Sequence, residues 1–113
     1  MTNNNCPICE IDFSGTERWT LNEKFHREDG PAIIYLNREK LWYLHGKLHR
    51  IGGPAIEYNG GTKCWYFYGE LHRLDGPAYE SYSGYKEWWY HNKLVNCSSQ
   101  KEFERLIKLK VLW

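Results

Sequence analysis

Long apolar runs are missing from this 113-residue chain, and so is any excess of one charge. No stretch approaches the roughly 20 consecutive apolar residues that a membrane-crossing helix needs, so no membrane partner is expected. The opening residues MTNNNCPICEIDF carry neither the positive segment nor the apolar stretch of a secretory leader. Cysteine is scarce as well: four residues are too few to suggest a disulfide scaffold. The expectation is a cytoplasmic protein with reduced thiols. Lys and Arg total 15 against 14 Asp and Glu, for a formal charge of +1. That balance argues against a general nucleic-acid binder, which needs a basic surplus to neutralise phosphates. Signatures of catalysis are lacking too. There is no ordered nucleophile, base and acid, no phosphate-cradling glycine loop and no HExxH helix. No enzyme is expected.

Aromatic residues are what the chain has in quantity. They make up 17% of it, with six Trp and nine Tyr. They supply the apolar area that offsets the ordering entropy of one modest domain, so disorder is excluded. Charge is unevenly placed. Residues 1–18 hold three acids and one base, residues 93–113 hold five bases and two acids, and the stretch between is neutral.

The dominant signal is a repeat. Trp19, Trp42, Trp65 and Trp88 stand 23 residues apart. His26, His49 and His72 keep the same step, as do the Gly-Pro-Ala triplets at 30–32, 53–55 and 76–78. No gap is needed from Trp19 to Asn92. Each unit reads as strands and turns. Ala55-Ile56-Glu57-Tyr58 alternates in polarity over a strand's length. Asn59-Gly60-Gly61 tolerates the positive φ of a hairpin turn. Lys63 to Tyr68 is rich in the aromatics that suit a pleated surface. Gly69, Gly46 and Asn92 reverse the chain at matching places, while the first copy has Glu23 there and should have the least regular turn. Proline, which cannot donate to a ladder, starts a strand or a corner.

Two main strands per unit are expected, about eight in all, with a short third piece at Leu71-His72-Arg73. A period of two puts Trp19/Leu21, Trp42/Leu44, Trp65/Phe67 and Trp88/Tyr90 on one side, assigned to the core. The other side carries Arg18/Thr20, Leu41/Tyr43, Cys64/Tyr66 and Glu87/Trp89. After Asn96 the period changes. Ser99-Gln100-Lys101-Glu102 fits a capping box, and Phe103, Leu106 and Ile107 begin an apolar stripe that Leu109, Val111, Leu112 and Trp113 extend. The expected fold is all-β with one C-terminal helix: a single antiparallel meander of β-hairpin repeats capped by an amphipathic α-helix. The chain divides into a Cys-x-x-Cys segment at 1–18, the array at 19–97 and the helix at 98–113, one domain overall. Docking of a partner is the other use open to that basic, apolar tail.

Spacing and wording resemble MORN-type repeats, in particular their degenerate variants. The resembling residues are the aromatic strand, then Gly46-Lys47-Leu48-His49-Arg50 and Gly53-Pro54-Ala55, with the matching words at 69–78. His-Arg-x-Asp/Gly-Gly-Pro-Ala stands where the usual MORN pattern has His-Gly-x-Gly. Arrays with this wording look like those in small proteins of bacteriophages and large DNA viruses. The resemblance implies a meander of hairpins and a role in binding, and it implies no catalytic residue.

Three sets of residues are candidate sites. The His-Arg pairs recur in every copy, so they read as braces of each corner, with Asp29 and Asp75 accepting bonds from Arg or backbone. A row of Arg27, Arg50 and Arg73 could hold an anionic surface as a secondary use. Cys6-Pro7-Ile8-Cys9 has the spacing of half a tetrahedral zinc site. Completing it would take two of His26, Cys64, His91 and Cys97, or a second chain; an unliganded thiol pair is the plainer alternative, and a redox role lacks its βαβ setting. The outer face is where the copies differ. Tyr43, Tyr66, Tyr68, Tyr85 and Trp89, with Cys64 among them and Arg50 and Arg73 at the border, are of the types enriched at binding hot spots. Packing under the tail or across strands is the alternative for the same side chains.

The expected function is a non-enzymatic protein-binding module. Taken with the resemblance, it is a small phage-type inhibitor of a host enzyme or defence complex, working in the host cytoplasm on a host protein. One alternative is a nucleotide or nucleic-acid binder through aromatic stacking and Arg. Another is a structural or assembly component, a homodimer included, joined through sheet edges.

Overall fold

The computed structural model describes residues 6–109. Residues 1–5 of the expected N-terminal segment, and Val111, Leu112 and Trp113 of the expected apolar stripe, lie outside them. The chain is an antiparallel β-meander with a single helix at its end. It begins with the hairpin of β1 (Ile8–Ile11) and β2 (Glu17–Leu21), followed by β3 (Lys24–Phe25). β4 (Ile33–Ile34), β5 (Lys40–Leu41), β6 (Tyr43–Leu44) and β7 (Lys47–Leu48) come next. The same four pieces then recur as β8 (Ile56–Glu57), β9 (Lys63–Cys64), β10 (Tyr66–Phe67) and β11 (Glu70–Leu71). β12 (Tyr79–Glu80), β13 (Lys86–Tyr90) and β14 (Lys93–Val95) lead to α1 (Gln100–Leu109).

Fourteen strands are found among the described residues where about eight are expected: the ribbon strands β3, β7, β11 and β14 add four, and breaks in the middle aromatic strands at Trp42 and Trp65 add two. The Trp42 N–H donates to the Ala55 carbonyl in the main sheet (2.8 Å), while its own carbonyl accepts from the His49 N–H (3.0 Å). Trp19 and Trp65 repeat both bonds, to Ala32 and His26 and to Ala78 and His72. Each tryptophan is therefore the joint between two pairings. The residues before it enter a ten-stranded sheet of order β1-β2-β4-β5-β8-β9-β12-β13-β14, with β3 on β2. The residues after it form small ribbons, β6-β7 and β10-β11. A whole repeat thus adds two strands to the sheet.

The turn that closes each ribbon has one geometry in all four copies. Asn22-Glu23, His45-Gly46, Tyr68-Gly69 and His91-Asn92 all have positive φ at both residues, the signature of a type I′ hairpin. Glu23, at φ 68°, takes the same turn as the rest, so the expected irregularity of the first copy is not found. A glutamate disfavours this conformation by about 1 kcal/mol.

Burial also differs from the expected one-sided core. The side expected to face outward carries a row of Ile33, Leu41, Ile56, Cys64 and Tyr79 in register across the sheet. Ile33, Ile56 and Cys64 in it are buried. On the side expected to be core, Trp19, Trp42 and Trp65 are only half-buried, and Trp88 alone is buried, at 7% exposure. The array is one sheet thick, with extents of 51 × 34 × 17 Å, so both of its faces share the apolar burden. The alternate sheet row, Glu17, Ile34, Lys40, Glu57, Lys63, Glu80 and Lys86, pairs acid with base across most neighbours.

α1 closes the C-terminal end. Phe103, fully buried, packs with Trp88 and Val95, flanked by Tyr90, Cys97, Leu106 and Ile107. Ser99 caps the helix, its Oγ accepting the Glu102 N–H at 3.1 Å. The reciprocal bond of the capping box goes one residue further out, since the Glu102 carboxylate accepts from the Ser98 N–H at 2.9 Å. No helix among the described residues is long and apolar enough to cross a membrane.

Candidate functional site

Two repeated devices fix the column of ribbons, and both use the His-Arg pair. In the first, an imidazole clamps the turn of the following repeat. The N–H of His45 donates to His26 Nδ1 (2.9 Å), that of Tyr68 to His49 Nδ1 (3.0 Å) and that of His91 to His72 Nδ1 (3.0 Å). The donors are the first left-handed residues of the I′ turns, whose strain this bond helps to hold. Their rings then lie against the clamping imidazoles: Tyr68 stacks on His49 at 3.9 Å, and His91 on His72 at 3.9 Å. His45 leans on His26 at 4.3 Å. The second turn residue ties the same ribbons, with Gly46, Gly69 and Asn92 N–H donating to the Phe25, Leu48 and Leu71 carbonyls.

The second device is an arginine sandwich. Arg27, Arg50 and Arg73 lie over Trp19, Trp42 and Trp65 with guanidinium carbons 3.8–4.0 Å from the ring centres. Each donates through Nη1 to the carbonyl of Pro31, Pro54 or Pro77. Gly30, Gly53 and Gly76 form the other wall; a Cβ on them would stand 2.9, 2.8 and 2.6 Å from the guanidinium carbon. That close approach explains the glycine of every Gly-Pro-Ala corner. Asp29 and Asp75 accept from Arg27 and Arg73 at 3.0 and 2.9 Å. Gly52 stands in their place in the second copy, where Arg50 keeps only the sheet carboxylate, Glu57 (3.0 Å), whose counterpart Glu80 also pairs with Arg73 (3.1 Å).

The middle clamp leaves one polar atom without a partner. His49 Nδ1 accepts, so its proton sits on Nε2, the one buried side-chain polar atom lacking a hydrogen bond among the described residues. In the first copy Glu28 lies 3.6 Å from the matching His26 atom. Ile51 occupies that place in the second copy. Burial holds the His49 imidazole below its ordinary pKa; His72 is lowered by burial first, then by His91, against an opposing pull from Glu70.

The candidate binding residues divide between the faces. Tyr43, Tyr66 and Trp89 form one column at 23-residue spacing, and their carbonyls accept from the Arg27, Arg50 and Arg73 N–H groups. The Tyr66 hydroxyl pKa is raised by burial first, then by Cys64 and Tyr43. Tyr79 lies opposite Cys64 in the sheet, Tyr58 follows Ile56 of the same row by two residues, and Tyr79 meets Tyr85 at 6.2 Å. Tyr85 Oη and Trp89 Nε1 both donate to Glu87 (2.9 and 3.0 Å). Tyr68, Arg50 and Arg73 do not belong to this patch. They serve the clamps and sandwiches of the opposite, tryptophan face. The arginine row is thus committed to indole, proline carbonyl and carboxylate partners.

Cys6 and Cys9 are exposed, and among the described residues no group of three His, Cys, Asp or Glu side chains could hold a metal ion. The geometry therefore adds none of His26, Cys64, His91 or Cys97 to the pair. Cys64 is buried beside Ile56, its thiol pushed up to about 11 by burial and then by Glu87, so it is a packing residue. Sequence reasoning missed His45, Tyr68 and His91 as clamp partners. Their signal was an aromatic ring directly before the turn residue in three consecutive copies.

No family model matches this chain, and no curated protein or solved structure matches it either.

Proposed function

We propose that this protein is a non-enzymatic binding module of MORN-like repeats that engages another protein through the tyrosine face of its sheet. The observation carrying this reading is the exposure of large aromatics there on a rigid frame. Tyr58 and Tyr85 are 43% and 59% exposed, and Tyr43, Tyr66 and Trp89 on the same face are half-buried. Tyr and Trp give contact area at low entropic cost, and contiguous exposed aromatics on a thin sheet mark an interaction site. The phage-like wording of the repeats further suggests a small inhibitor of a host enzyme or defence complex, acting in the host cytoplasm. A nucleic-acid role draws less support, since the arginines it would use are already paired.

A test compares the intact chain with a Tyr85→Ala/Trp89→Ala variant as bait in host lysate, followed by titration with the purified captured protein. One-to-one binding that weakens at least about tenfold in the variant, a loss of about 1.4 kcal/mol, is the expected result. Equal capture by both baits would refute the reading. Steep weakening of a single-stranded nucleic-acid complex with salt would favour the alternative instead.

A further inference from the structure

We infer that the groove between the second and third repeats is a docking site for an amphipathic helix of a partner protein, seated as α1 is seated on the last repeat. This goes beyond the tyrosine-face reading and does not rest on it, since the partner helix sits on the opposite, tryptophan face.

The tryptophan face carries one groove per repeat junction. The first, of about 600 Å³, lies between the corner at 27–30 and Trp42, Leu44 and His49. The second, of about 340 Å³, is lined by Ile51, Gly52, Trp65, Phe67, His72 and Leu74 among others. Moving the first groove's residues 23 positions along the chain yields the second's: Trp42 becomes Trp65, Leu44 Phe67, His49 His72 and Ile51 Leu74. One further step gives Trp88, Tyr90, Val95 and Cys97, the residues that α1 covers. The helix is therefore the occupant of the third groove.

How it is held there defines what the second groove would accept. Gln100 bridges the two walls, its Oε1 accepting from Trp88 Nε1 (2.8 Å) and its Nε2 donating to the Leu74 carbonyl (2.8 Å). Phe103 fills the space between. In the second groove the matching donor and acceptor are Trp65 Nε1 and the Ile51 carbonyl. Neither makes a hydrogen bond within the described chain, and the indole N–H is not among its buried atoms. Apolar side chains stand open around them: Ile51 is 82% exposed, Leu74 53% and Phe67 40%. The first groove is less suited, because it has Glu28 where the second has Ile51.

Spacing permits the arrangement. Two sheet strands per repeat set adjacent grooves about 10 Å apart, the interaxial distance of two packed helices, about 8–10 Å. A helix in the second groove would lie beside α1, along its Gln100 and Glu104 flank. With Glu104 and Asp75 on that border, the partner helix would carry an apolar stripe, a carboxamide at the bridging position and a basic edge.

The probe is a synthetic peptide of residues 98–109, held helical by a lactam between Glu104 and Lys108, both exposed positions, so that Lys101 and Arg105 keep its basic edge. It is titrated into the full ¹⁵N-labelled chain, following the Trp65 and Trp88 indole resonances. Saturable shifts at Trp65 and Ile51 below about 1 mM are expected. An Ile51→Glu/Leu74→Glu variant should weaken them at least about tenfold. Both substituted side chains are exposed, and glutamate at 51 copies Glu28 of the first repeat, so the fold is retained. No saturable shift, a shift confined to Trp88 through displacement of α1, or equal binding by the variant or by a scrambled peptide would overturn the inference. The Tyr85→Ala/Trp89→Ala variant separates the two proposals. It should bind the peptide normally, so failure in the groove leaves the tyrosine-face reading standing, and the reverse.

Discussion

Trp42 and Trp88 hold the same place in their units, two steps apart, yet they are covered by different means. Trp42 lies under Arg50, half-buried, with its indole edge on an open groove. Trp88 has Asn96 at the matching position and no arginine; α1 covers it, and Phe103 and Gln100 supply apolar contact and hydrogen bond. An inner repeat can use a charged cover because its neighbours already protect both sheet edges. The last repeat has no following strand pair, so it needs a larger apolar lid. The same joint is thus closed electrostatically inside the array and hydrophobically at its end.

The sharpest way to break the terminal closure is Phe103→Ala. Removing a fully buried aromatic should cost about 3–5 kcal/mol, release α1 and expose Trp88, seen as a lower unfolding midpoint and a red-shifted tryptophan emission. The internal closure is tested by Gly76→Ala, whose Cβ would sit 2.6 Å from the Arg73 guanidinium carbon. Displacing Arg73 from Trp65 and from the Pro77 carbonyl should cost about 2 kcal/mol by denaturant unfolding. Arg73→Ala should cost a similar amount, and the double variant should fall well short of the sum, because both changes remove one sandwich.

The clamps give a smaller, pH-dependent effect confined to the inner repeats. His49 and His72 are neutral acceptors whose folded pKa values lie below the ordinary 6.5. The unfolded chain therefore binds more protons as the pH drops through about 6.5, so their contribution is complete above that value and is lost toward the lower folded values. Thermal midpoints should fall between about pH 7 and pH 5.5. The fall should shrink in His49→Asn, which keeps an acceptor without a titrating ring. Last and smallest, Glu23→Gly should stabilise the chain by about 0.5–1 kcal/mol, since it relieves φ 68° at a turn that the other copies make with Gly or Asn.

Much of the fold was legible because the repeat is exact in number. Identical spacing of Trp, His and Gly-Pro-Ala made the meander readable, and the change of period after Asn96 marked the helix. The strand breaks were not legible, since nothing in the local wording of Lys40 to Leu44 says that Trp42 sends its N–H and C=O to different partners. The faces were half legible. Alternation correctly grouped Tyr43, Tyr66 and Trp89, but it assumed that one side must be core, which holds for two layers and not for one.

The 23-residue step alone determined that every unit would be built alike, because equal sequence at equal intervals meets equal surroundings. It also settled that His49 and Arg50 belong to the frame. Only the tertiary structure decided what each of them does: which turn an imidazole holds, which indole an arginine covers, and which groove the chain's own helix fills. The clamp and helix contacts join residues 19 and 26 positions apart, from one repeat to the next, and even an arginine and its indole are separated by a whole ribbon. A single strand's propensities cannot reach that far, whereas stacking of the repeats brings the partners within hydrogen-bonding distance.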